Sequence, residues 1–121
     1  MKNLEQIRAR NALRCQQETK GSVAGQDGGN IIKKIPTLVM NHGLLGTAAN
    51  AFEANNTGMR DLFDHIARHL ADKDINILKS SSTDLEKMMT ELTEGDSNLL
   101  RKATNEAMAW LTYARRFVKK A

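Results

Sequence analysis

The stretch that decides the fold is "VMNHGLLGTAANAF", Val39 to Phe52. It places a histidine beside a glycine, a second glycine three residues on, and then a run of small and apolar side chains. A phosphate-binding loop would need a lysine after its last glycine and a strand before its first. Here Thr47 follows Gly46, and the residues before the stretch have helical spacing. An acyl-transfer site would need a nucleophilic serine in a G-x-S-x-G turn, and the chain has none. A change of direction accounts for every residue. Asn41 and Gly43 are suited to the left-handed conformation that ends a helix. Leu44, Ala48 and Phe52 then form one face of the next helix, and the small residues Gly46, Ala48, Ala49 and Ala51 let a neighbouring helix approach closely. The stretch reads as a helix-break-helix corner.

Outward from this corner the chain reads as all-α, a compact bundle of about six helices with a long C-terminal helix, in a single domain over 1-121. No segment alternates long enough for a strand, and "IIKKI" and "INIL" are short. The first helix is expected over about Asn3 to Lys20. "GSVAGQDGGN", Gly21 to Asn30, holds half of the eight glycines and reads as a flexible loop. Asn30 is a candidate cap for a second helix carrying Ile31, Ile35, Leu38 and Val39, with a kink or restart expected at Pro36. A third helix starts at Thr57 or Gly58, with Met59, Leu62, Phe63, Ile66 and Leu70 on one face. "TDLE", Thr83 to Glu86, has capping-box spacing ahead of Leu85, Met88, Met89 and Leu92. Asp96 or Ser97 caps the last helix, whose apolar arc includes Ala103, Ala107, Trp110, Leu111 and Ala114.

Composition limits the function classes. The chain has 121 residues, 40% apolar and 26% charged, as expected of a soluble globular protein. It shows no apolar run near the roughly 20 residues that span a bilayer, and the charged start "MKNLEQIRAR" does not read as an export signal. The expected location is cytoplasmic, with no membrane partner. Cys15 is the one cysteine, so an internal disulfide is excluded; it reads as a half-buried structural residue. His65 and His69 stand four apart, but the zinc-protease pattern needs Glu where Ile66 sits. They are expected on the polar side of their helix, with no metal and no other cofactor.

The formal net charge is +4, unevenly spread. Met1 to Lys20 carries +3, Gly21 to Asn98 carries −4, and Leu99 to Ala121 carries +5. On the last helix Arg101, Lys102, Arg115, Arg116, Lys119 and Lys120 gather opposite the apolar arc, with no acid among them. Such a face suits phosphates, with arginine able to bind them bidentately. Only five aromatics occur in the chain, too few for a base-stacking platform, so contact with the nucleic-acid backbone is expected.

Three stretches, "LEQIRARNAL", "KKIPTLVMNHGLL" and "LLRKATNEAMAWLTYARRFVKK", occur in this order over about half the chain. Together they resemble the small all-helical subunit of the type III-B CRISPR effector, the Cmr complex. After the Gly-Leu corner the chain departs from that family's glutamine and aromatic-rich run, with Gly46, Asn50 and more alanine. The resemblance implies a non-catalytic subunit that stacks in several copies as an inner filament. Its partners would be the backbone subunits, the large signalling subunit, further copies of itself, and the guide RNA and target RNA. Basic residues of such subunits face nucleic acid, which makes Arg8, Lys33 and Lys34 candidates beside the cations of the last helix. A stand-alone helical nucleic-acid-binding or regulatory protein, and a metal hydrolase built on His65 and His69, are the alternatives from other classes.

Overall fold

A computed structural model of the chain describes residues 3–19, 30–53 and 57–117. These form five helices: α1 (Leu4–Thr19), α2 (Asn30–Glu53), α3 (Thr57–Ala71), α4 (Leu85–Glu94) and α5 (Ser97–Phe117). Lys20 and most of the glycine loop lie outside the described residues, as do Val118, Lys119 and Lys120.

The expected corner is present, at one residue. Gly43 has φ 79° and ψ 166°, a conformation essentially reserved for glycine, and it divides α2 into two arms. Asn41 does not share the positive φ; Asn76 is the one non-glycine among the described residues that has it. Counting the two arms of α2 separately recovers the six helical segments expected. The helix runs through Pro36, however, and bends instead at Gly43. Ile32, Ile35 and Val39 are all buried on one face around the proline, and their burial holds the helix through it. After the corner the inward face is Leu44, Thr47, Ala48 and Ala51. Phe52 is not part of it: the ring is half-exposed and lies under the Arg60 guanidinium, 5.4 Å from its centre.

Three of the helix starts have a visible structural cause, at α1, α4 and α5. Asn3 Oδ1 accepts from the Gln6 amide (2.9 Å) and Gln6 Oε1 accepts from the Asn3 amide (3.0 Å), a reciprocal cap on α1. Asp84, and not Thr83, caps α4: its carboxylate accepts from the Lys87 amide at 2.8 Å. The Leu85 amide is taken by Asp64 of α3. Asp96 caps α5 through the Leu99 amide. At the α4–α5 junction, a Cβ on Gly95 would come within 2.5 Å of Leu99 Cδ2 and 3.2 Å of the Glu91 carbonyl oxygen, so a larger residue there would require the Leu99 side chain to shift.

The core centres on α3 and α5. Leu62, Phe63, Ile66 and Leu70 of α3 meet Ala103, Ala107, Trp110, Leu111 and Ala114 of α5, all fully buried. Because all four other helices pack on α3, its buried arc is wider than its apolar stripe. His65 and His69, expected at the surface, are therefore buried, at 7% and 1% exposure. Cys15 is fully buried as well. Among the described residues no helix is long and apolar enough to cross a membrane.

Candidate nucleic-acid interface

Helix α5 has two sides of opposite electrostatic character. Its outer arc carries Arg101, Lys102, Arg115 and Arg116, all exposed. At 1.5 Å rise per residue, Arg101 and Arg115 are about 21 Å apart along the axis. The exposed Asn105 and Thr112 lie between them, and no acid does. Arg101 hydrogen-bonds the Asn98 side chain at 2.7 Å. Lys102, Arg115 and Arg116 form no ion pair among the described residues. Lys33 and Lys34 are likewise exposed and unpaired among the described residues, on the outward side of the first arm of α2, a helix that packs against α5. Lys119 and Lys120 lie outside the described residues.

Arg8 does not join this group. It points from α1 to the inner side of α5, where its Nε and Nη2 each donate to a different oxygen of Glu106 at 2.7 Å. Glu106 Oε2 also accepts from His69 Nε2 at 2.9 Å, and the Asn11 amide lies 2.8 Å from His69 Nδ1. The same Asn11 nitrogen donates to Asp72 Oδ2 at 3.1 Å, and Arg10 Nη2 reaches that oxygen at 2.6 Å. With the Asn11 NH2 group donating to Nδ1, the His69 proton sits on Nε2, facing Glu106. The ring stacks on Trp110 with centroids 5.8 Å apart. Burial works against ionising Glu106, yet the hydrogen bonds from Arg8 and His69 prevail and hold its carboxyl down to about 2. Asp72 is lowered for similar reasons: burial opposes, while the Asp74 amide, Asn11 and Arg10 outweigh it.

Sequence reasoning missed this network. Its signal was present: Glu106 is the one acid from Leu99 onward and sits on the apolar arc, where a carboxylate needs a partner. Cys15 is no nucleophile, since burial pushes its thiol up to about 12. Among the described residues no three His, Cys, Asp or Glu side chains form a group that could hold a metal ion.

Among the described residues, then, the outer face of α5 carries cations that pair with no acid, and its inner side carries an ion-pair network. Over residues 4–121 the chain matches the family described as CRISPR-associated protein (Cas_Cmr5). The chain belongs to that family. It is thus a CRISPR-associated Cmr complex small subunit, as the three sequence stretches implied. No curated protein and no solved structure matches it. For a Cmr small subunit, the outer arc of α5 is the surface with the clearest chemical character.

Proposed function

We propose that this Cmr small subunit is a non-catalytic structural component of an RNA-guided, RNA-targeting type III-B effector in antiviral defence. Copies stack as an inner filament beside the backbone and large signalling subunits, in the cytoplasm. The outer arc of α5, with Lys33 and Lys34 of α2, runs along the phosphates of the guide or target RNA. The observation that carries this reading is the pairing pattern. Arg8 and Arg10 are each hydrogen-bonded to an acid, at 2.7 and 2.6 Å, whereas among the described residues Lys102, Arg115, Arg116, Lys33 and Lys34 face none. An unpaired cation can turn to a phosphate without breaking any ion pair inside the protein. Because the arc offers no base-reading aromatic, contact is with the backbone and is indifferent to sequence.

The test is co-expression with the other complex subunits, followed by ultraviolet crosslinking of the RNA that co-purifies. Crosslinks on α5 peptides between Arg101 and Phe117, with guide and target of any sequence, are expected. Crosslinks confined to other helices, or an assembled complex with none on this subunit, would contradict the reading.

A further inference from the structure

A second cationic site lies away from α5. Between α1 and α3 runs a cleft of about 380 Å³ lined wholly by polar side chains. At its inner end Asn11, His69 and Asp72 are satisfied by the network already described. The outer end is different: Arg14, Glu18, His65 and Arg68 line it, and no hydrogen bond joins them.

His65 is 7% exposed, yet the nearest opposite charge to its Nε2 is Glu18 Oε2 at 3.8 Å, beyond hydrogen-bonding range. Arg68 Nη1 stands 3.7 Å from that same oxygen. Arg14 is exposed and has no partner among the described residues. Among the described residues Trp110 Nε1 is the one buried side-chain nitrogen or oxygen without a partner, so no His65 nitrogen is sealed in the core unsatisfied; the ring edge that lines the cleft is open to solvent there, where a ligand can reach it.

We propose that this cleft binds a phosphate group, with Arg14 and Arg68 supplying the charge and His65 donating the central hydrogen bond. Three donor groups line it, and a single carboxylate oxygen now lies within 4 Å of two of them without hydrogen-bonding either. A phosphate has three strong acceptor oxygens and a charge of up to about −2, enough to serve all three. Glu18 is half-exposed and free to swing outward when displaced. Asp72, the other acid at the cleft, is already neutralised by Arg10 and Asn11. The lining includes no aliphatic side chain and no Phe, Tyr or Trp ring to hold an acyl chain or a nucleobase, so the phosphate itself is what the site recognises. A free phosphate, a terminal monoester and an internal diester of an RNA strand share that chemistry. The site uses α1 and α3, so it stands or falls independently of the α5 face.

The experiment follows the His65 ring resonances by NMR in the full chain during titration with inorganic phosphate at constant ionic strength. A saturable shift is expected. Arg14→Ala and Arg68→Ala, both at exposed positions and so compatible with folding, should each weaken binding about tenfold, the usual effect of losing a charge-assisted hydrogen bond. Glu18→Gln should tighten it, because the competing carboxylate is gone. Lys79→Ala makes the same charge change elsewhere and should leave binding as it was. A dinucleotide with and without a 5′-phosphate separates the sources: a response to the phosphorylated form alone assigns the site to monoesters, and a response to both assigns it to diesters. A His65 ring that does not move with any of these anions would show a water-filled cleft and overturn the proposal. Equal weakening by Lys79→Ala and Arg68→Ala would overturn it too.

Discussion

The arginines of α1 and those of α5 carry the same charge but meet different surroundings. Arg8 and Arg10 are covered: α5 offers Glu106 to the first, and the turn after α3 offers Asp72 to the second, at 2.7 and 2.6 Å. Arg115 and Arg116 stand on a face that none of the described elements overlies, in a segment whose one acid, Glu106, points the other way. Counting basic residues along the chain therefore overstates the number of cations left unpaired at the surface. What separates a structural cation from an available one is whether the packing partner of its helix brings a carboxylate opposite it. The inner set joins α1, α3 and α5 through its charge, and the outer set leaves its charge facing solvent.

Substitutions in the two regions should consequently differ in kind. The largest effect is expected beneath the network, at Trp110, which is fully buried and stacked on His69. Trp110→Ala should destabilise by about 3 to 5 kcal/mol, read by thermal or denaturant unfolding. A near-normal melting temperature would mean that α5 presents a different face to the core.

Next comes Glu106→Ala, which leaves Arg8 without its partner and His69 Nε2 without an acceptor. Discounting for the partial exposure of Arg8, the cost is about 2 to 3 kcal/mol. In the double variant with Arg8→Ala the loss should be less than the sum of the two singles. The same pair gives a pH signature. The folded carboxyl titrates near 2, below the 4.5 of a free glutamate, so its stabilisation is complete above 4.5 and is lost as the pH falls from there towards 2. Unfolding curves across that range should show stability falling with acid, and Glu106→Gln should flatten the slope. An unchanged slope would show that the inner network does not hold the helices together.

Smaller still is the effect at the corner. Gly43→Ala meets no atom within 4 Å, so its cost is backbone strain alone, about 1 to 3 kcal/mol. Chemical denaturation checks it; a neutral outcome would place the bend of α2 elsewhere. Smallest for stability are Arg115→Ala and Arg116→Ala, each expected within about 0.5 kcal/mol of the parent chain. A large loss at either would make the outer arc part of the structure and erase the contrast with Arg8.

Much of this was legible in the sequence because helix periodicity and caps are local signals. The corner at Gly43, the Asp96 cap and the apolar arc of α5 through Trp110 all follow from residues within two turns of one another. Features that depend on which helix covers which were not. His65 and His69 read as polar-side residues because their angular position on α3 is marginal; only the packing of four helices around α3 buries them. Arg8 reads as an available cation until Glu106, 98 positions away, is brought opposite. Pro36 and Phe52 fail for the same reason in opposite directions. Burial of Ile32, Ile35 and Val39 carries the helix through the proline, and Ala51 displaces Phe52 from the core because the second arm is rotated relative to the expected face.

The central claim is that the outer arc of α5 touches RNA phosphates while the inner cations do not. It is tested most directly by the salt dependence of target-RNA binding in the assembled complex. The measurement compares the parent subunit with the variant carrying Arg101→Ala, Lys102→Ala, Arg115→Ala and Arg116→Ala. The account predicts normal assembly and weaker binding to any RNA sequence. The log-log salt slope should become shallower by about 0.7 for each phosphate that a subunit copy no longer neutralises. A variant complex that assembles and binds RNA with unchanged affinity and unchanged slope would contradict it.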